Sequence, residues 1–149
     1  MTGWRLGWAV GAPKYITSLA KVKSFCDTGH FLAAQAAGIA AFASHAEWLP
    51  GNVATFKTRR DAAVAAFRSE EFGVKSPKAT MYLWVPLPAG IGSAEFCERL
   101  MSEEGVIALP GKTLGAGGEG FFRVSFITSP ERLAEAARRA GRLLRRMAR

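Results

Sequence analysis

The sequence predicts an α/β protein in which the end of one domain, residues 1–46, runs into a second, α+β domain, residues 47–149. Three observations predict it. Segments before about residue 47 are apolar nearly all round, whereas those after it are amphipathic; the first pattern belongs to elements covered on every side, the second to elements at the surface of their own core. In the later two-thirds, short aromatic and β-branched runs alternate with helical periods. With 49% hydrophobic and 21% charged residues, a chain of 149 can close a real core.

The elements follow in order. Gly3 to Val10 is short, aromatic and apolar, is closed by Gly11, and reads as a buried strand. Pro13 suits a first helical turn, and Ile16, Leu19, Ala20 and Val22 give an apolar face as far as Phe25. After a loop at Cys26 to His30, the Ala-rich run Phe31 to Ser44 predicts a fully buried helix. Trp48 to Gly51 predicts a break, and Asn52 then serves as the N-cap of a long helix bearing Val53, Phe56, Ala63, Val64 and Phe67 on one face. Ala79 to Val85 predicts a strand ended by Pro86, and Ser93 the cap of a helix to Glu104. Val106 to Leu109 predicts a short strand, Lys112 to Gly120 a glycine-rich loop, and Phe121 to Ile127 another strand. Ser129 and Pro130 open a last helix with Leu133, Ala136, Ala137, Ala140, Leu144 and Met147 on one stripe.

Several function classes fall away. No apolar run is long enough for a membrane span, and no basic leader precedes a long apolar region, so a cytoplasmic protein is expected. Cys26 and Cys97 show neither disulfide nor zinc spacing, and His30 and His45 lack companion ligands. Ser24 and Ser125 have no triad context. Gly111-Lys112-Thr113 resembles the end of a P-loop, but Val106 stands where its first glycine belongs. Gly115, Gly117 and Gly120 satisfy GxGxxG, yet an apolar strand follows where a helix should open. The net charge of +8 is concentrated in Arg138, Arg139, Arg142, Arg145, Arg146 and Arg149. A docked terminal helix with a charged back is the expected reading, since its stripe lacks the Trp and Phe of membrane-surface helices.

Arg5, inside GWRLGWAVG, and Arg123, inside FFRVSFI, stand out. An arginine buried in a strand must be paired, because an unpaired buried charge is costly. Few carboxylates lie near either in sequence, so a bound phosphate or carboxylate is one natural partner; an exposed strand edge is the other reading.

At this point the sequence resembles the fold-type I aminotransferases of class I/II, in the diaminopimelate and alanine-type branch. Met1-Thr2-Gly3-Trp4-Arg5-Leu6-Gly7 is similar to the family segment just after the cofactor-carrying lysine, and Phe122-Arg123-Val124-Ser125 to a late strand. Asp27-Thr28-Gly29-His30-Phe31 with Gln35 resembles a segment near the subunit boundary. Pro110-Gly111 with Gly115, then Gly118-Glu119-Gly120, resembles the PG…FG…GEG loop of the family, and KATMYLWVPLP points to the branch.

The resemblance implies a pyridoxal 5'-phosphate enzyme that moves an amino group between an amino acid and a 2-oxo acid, working as a homodimer. It implies that Arg5 binds the cofactor phosphate, that Arg123 binds the substrate carboxylate, and that residues 1–46 end the large cofactor-binding domain while 47–149 form the small one. The lysine falls before Met1, and Lys21, Lys23 and Lys112 lack its context, so the chain alone is expected to be inactive. The pyridine-binding Asp, the stacking aromatic and the phosphate turn are missing too, and Thr28 and Leu114 replace the usual Ser and Phe. Two other readings stand beside this one: a basic stand-alone module binding nucleic acid or protein, and a non-catalytic partner of a full-length aminotransferase.

Overall fold

The computed structural model describes residues 2–27 and 29–148. Met1, Thr28 and Arg149, which the sequence motifs and the basic tail include, lie outside the described residues. The chain divides into two compact units, Met1–Pro50 and Gly51–Arg149.

In the first unit a single 3-10 turn, Thr2–Trp4, leads into irregular chain. Helix α1 (Pro13–Cys26) starts on its proline and ends on Asp27, whose carboxylate holds Lys23 at 2.6 Å. Helix α2 (Leu32–Ala43) follows. Leu6 lies against Gly38 so closely that a Cβ there would overlap its side chain, and Trp8 meets Phe42 edge-on at 5.8 Å. These contacts lay the N-terminal segment over α2.

Two predictions fail in this unit. Gly3 to Val10 is not a buried strand: it has no ladder, and Val10 is 80% exposed. A strand needs a neighbour for its backbone groups, and among the described residues the one sheet lies in the second unit. The α2 helix forms, but only Ala34 and Gly38 are buried in it, while Phe31 and Ile39 are 73% and 72% exposed. Its apolar circumference demands cover on all sides, and the first unit supplies it on one.

Helix α3 (His45–Ser69) corrects a third prediction. The break expected at Trp48 to Gly51 does not occur, and Asn52 lies inside the helix instead of capping it. Ser44 alone separates α2 from α3. Pro50, six residues in, leaves the Ala46 carbonyl without its helical donor but keeps a helical φ.

The second unit is built on an antiparallel sheet of order β1-β3-β2: β1 (Tyr82–Pro86), β2 (Leu109–Pro110) and β3 (Phe121–Ser125). β1 starts later than predicted because Thr80 takes a left-handed φ of 78°, which no ladder accommodates. β2 loses Val106 because its N–H bonds the Leu100 carbonyl, closing helix α4 (Ser93–Glu104) over the left-handed Gly105. Helix α5 (Pro130–Met147) opens on Ser129-Pro130 as predicted.

One face of the sheet makes the core. Leu83, Val85, Phe122 and Val124 pack with Phe67 of α3, Phe96 and Leu100 of α4, and Leu133, Ala137 and Leu143 of α5. Phe122 is central: its ring lies 5.0 Å from Phe96, 5.7 Å from Phe72 and 6.1 Å from Phe67. Such offset and edge pairs add about 0.5–1.5 kcal/mol each beyond burial.

Phe122→Ala is expected to destabilise the second unit by about 3–5 kcal/mol, since the cavity has rings on three sides that cannot all collapse; urea unfolding followed by circular dichroism reads it. The uncovered side of α2 should make the chain associate and bind a hydrophobic dye at micromolar concentration. Charging that side, as in Leu32→Lys with Ile39→Lys, should reduce both in sedimentation and dye titration.

Candidate functional site

Alternation along β3 decides where Arg123 goes. Phe122 and Val124 point into the core, so Arg123 and Ser125 stand on the opposite face of the central strand. There the register sets Trp84 of β1 against Arg123 and Tyr82 against Ser125. The Arg123 guanidinium carbon lies 4.1 Å from the centroid of the Tyr82 ring, on the diagonal of that ladder. Trp84 stacks on Phe121 at 5.4 Å and 17°. Arg123 is half-buried, and among the described residues no carboxylate pairs with it. It occupies the middle strand, so the strand-edge reading is excluded.

Arg5 is placed otherwise than predicted. It is exposed and takes a left-handed φ of 52°, between the 3-10 turn and the irregular segment. That conformation costs a non-glycine residue of the order of 1–3 kcal/mol and favours no particular side-chain partner by itself. Among the described residues no carboxylate pairs with Arg5 either. Arg5 belongs to the first unit and Arg123 to the second. Elsewhere in the first unit, Gln35 Nε2 donates to the His30 carbonyl at 2.9 Å, and the Lys23 ammonium, hydrogen-bonded to Asp27, holds that carboxyl below its ordinary range. A cavity of about 750 Å³ in this unit is lined by Leu6, Trp8, His30, Gln35, Ile39 and Phe42.

The glycine-rich loop is structural. A Cβ on Gly111 would enter the space of the Gly118 and Phe121 carbonyl oxygens, and one on Gly118 would meet the Gly111 carbonyl. Backbone lies directly on backbone here. The contact brings Glu119 under the start of α4, where its carboxylate accepts the Ser93 N–H at 2.7 Å, the Gly120 N–H at 3.2 Å and the Ser93 hydroxyl at 3.2 Å. Ser93 is therefore the first helical residue served by Glu119, with Gly92 as N-cap, and not the cap predicted. The Ser93 N–H foremost, then that of Gly120, holds the Glu119 carboxyl below its ordinary range. Neither phosphate-binding decoy survives: Gly111-Lys112-Thr113 forms a 3-10 turn, and the later glycines lead into β3.

The arginines of α5 are largely occupied. Arg142 and Arg146 each reach Glu104 at 2.7 Å, and that carboxylate is only 4% exposed. Arg145 pairs with Glu70, Arg146 also with Glu103, and Arg138 and Arg139 with Glu135. Leu133, Ala137, Ala140 and Leu143 are buried beneath. This is the docked helix of the sequence reading, and it does not favour a nucleic-acid module. Among the described residues no cluster of ligands could hold a metal ion, and no helix is long and apolar enough to cross a membrane.

The family model for aminotransferase class I and II matches residues 1–139. The chain belongs to that family. Over 144 residues it is 45% identical to an LL-diaminopimelate aminotransferase of Moorella thermoacetica, covering 97% of this chain and 37% of that protein. An LL-diaminopimelate aminotransferase 2 of Nostoc sp. is 44% identical over 139 residues, covering 93% of this chain and 36% of the relative. The chain thus spans little more than a third of the relatives it matches. Among solved structures, a probable N-succinyldiaminopimelate aminotransferase of Thermus thermophilus superposes with a TM-score of 0.86 at 33% identity, covering 96% of this chain and 38% of that one. An α-aminoadipate aminotransferase of the same genus, complexed with N-(5'-phosphopyridoxyl)-L-leucine, gives 0.88 at 27% identity, with 99% and 39% covered. The fold is that of part of a fold-type I aminotransferase, and the family works with pyridoxal 5'-phosphate.

Sequence reasoning missed the aromatic surroundings of Arg123. Read with period two, YLWV in β1 and FFRVS in β3 place Tyr82, Trp84, Phe121 and Arg123 on one face. The role of Glu119 carried no such signal, because it depends on Gly111 meeting Gly118.

Glu119→Gln tests that role. A carboxyl whose folded-state pKa is lowered contributes stability above its unfolded pKa and loses it as the pH falls through the folded value. The variant should therefore melt lower than the wild type at neutral pH, and the gap should close in the acid range. Thermal melts across pH 3–8 (on the order of half-unit steps) read it against that linkage.

Proposed function

We propose that this chain supplies two anion anchors of a pyridoxal-phosphate aminotransferase that moves an amino group between an amino acid and a 2-oxo acid. Arg123 carries the reading: a half-buried arginine, central in a sheet, with no acidic partner among the described residues, in a chain of this family. A guanidinium is a planar fork that matches a carboxylate through two parallel hydrogen bonds. Its part is to fix the substrate α-carboxylate and so orient the Cα–H bond for proton removal, a positioning role.

Arg5 takes the cofactor phosphate in this reading. Its chemistry fits: an exposed guanidinium that, among the described residues, has no carboxylate partner. When bound, pyridoxal phosphate supplies the electron sink that acidifies the substrate Cα–H bond. The proton-transfer base is a lysine outside these 149 residues. Lys23 is engaged with Asp27. Residues 1–46 then end the large cofactor-binding domain, residues 47–149 form the small domain, and the working enzyme is a homodimer. The names of the relatives favour a diaminopimelate-type amino donor.

Incubated with pyridoxal phosphate, an amino donor and a 2-oxo acid, the 149-residue chain should give no turnover. Carried as the C-terminal part of a full-length relative, Arg123→Lys should raise the substrate KM by about 10–100-fold, the loss of a charge-assisted pair, and leave cofactor affinity nearly unchanged. Arg5→Lys should chiefly weaken the cofactor. Neutral effects at both positions, with salt-sensitive DNA binding that tracks the tail arginines, would overturn the assignment.

A further inference from the structure

We propose that Tyr82 is a positioning residue for Arg123: its ring holds the guanidinium by a cation–π contact and leaves the N–H groups free to receive a carboxylate. The proposal deepens the reading just given and rests on it. Two observations carry it. The guanidinium carbon sits 4.1 Å over the Tyr82 centroid, and among the described residues no carboxylate pairs with Arg123.

The same chain shows the alternative way of holding an arginine. Arg142 and Arg146 are ordered on Glu104, and Arg139 on Glu135, each through N–H groups that the carboxylate then occupies. An arginine held in that manner must first break a charge-assisted bond before it can take a second anion, so part of the binding free energy is lost to the exchange. A ring contacts the flat face of the guanidinium, whereas its N–H groups point outward in the plane. The face is therefore used for holding while the edge stays available for ligand. Arginine otherwise loses considerable rotamer freedom when it binds, and restricting it beforehand reduces that cost.

The register explains why Tyr82 and not its neighbour does this. Trp84 is the residue directly opposite Arg123, but its ring is stacked on Phe121. Tyr82 is opposite Ser125, whose short side chain leaves the diagonal open to the longer arginine. Among the described residues the Tyr82 hydroxyl makes no hydrogen bond with protein. The ring is thus the working part, and phenylalanine should replace it.

Arginine-selective modification of the 149-residue chain tests the idea and tolerates association of the protein. The chain is treated with phenylglyoxal over a range of pyruvate concentrations, and modification of the Arg123 peptide is followed by mass spectrometry, with the Arg138 peptide as an exposed reference. Pyruvate should protect Arg123 and not Arg138. The half-protecting concentration should rise about three- to tenfold in Tyr82→Leu, the range expected for a cation–π contact of partly exposed groups, and stay within about twofold in Tyr82→Phe. Tyr82→Ile serves in place of Tyr82→Leu if the latter does not fold. Equal protection in wild type and Tyr82→Leu would overturn the positioning role and leave the carboxylate clamp intact. A wild-type Arg123 that pyruvate fails to protect would overturn the clamp itself and this proposal with it.

Discussion

Phe122 lies among Phe67, Phe72 and Phe96, and successive side chains of a strand face opposite ways. Burying Phe122 therefore commits Arg123 to the other face of the sheet, with Val124 repeating the constraint one pleat later. The direction of the candidate anion anchor is set from beneath, by apolar packing that never touches it. A slip of one residue in the ladder between β1 and β3 would exchange the two faces, placing a guanidinium among phenylalanines. The aromatic cluster resists that slip with several well-buried rings, so the polar side of β3 inherits the rigidity of the apolar side. Helices α3, α4 and α5 contribute by closing the cluster, and the loop from Gly111 to Gly120 by fixing where α4 starts.

How far the sequence alone reaches depends on whether an element carries its own reasons. Helix α4 was legible to within a residue: it ends at Glu104 as expected, over the left-handed Gly105, and starts on Ser93, one position before the expected first turn. Helix α5 was legible from Ser129-Pro130 and from a stripe of Leu and Ala. The segment Gly3 to Val10 was not, because an apolar run records only that something should cover it. Whether it becomes a strand depends on neighbours the run does not encode. Pro50-Gly51 misled for the opposite reason: both residues usually interrupt helices, yet a proline in an early turn forfeits one hydrogen bond and α3 continues. Of the candidate site, the two arginines were legible as charges in apolar runs. The ring beneath Arg123 was not, since it needs the register between two strands forty residues apart (on the order of the β1–β3 separation).

The charge distribution shows a similar division between composition and arrangement. A formal charge of +8 suggests a surface waiting for an anion. Most of the arginines behind it are instead satisfied within the second unit, by Glu70, Glu103, Glu104 and Glu135. Glu104 is the most consequential of these, since its carboxylate is nearly excluded from water and is held below its ordinary pKa chiefly by the Arg142 hydrogen bond. It pins α5 to the end of α4 through charge as well as packing.

The Glu119 carboxylate under α4 has one more effect. A helix start, with its unpaired N–H groups and positive dipole end, is a ready landing place for phosphates and carboxylates. In this protein that berth is taken by a carboxylate built into the chain, just before β3, whose effective concentration is set by the chain itself. The start of α4 is thereby neutralised from within the chain, whereas Arg123, on the other face of the sheet, rests on a ring and not on a carboxylate. An internal carboxylate of this kind removes one landing place for anions from the surface of the second unit.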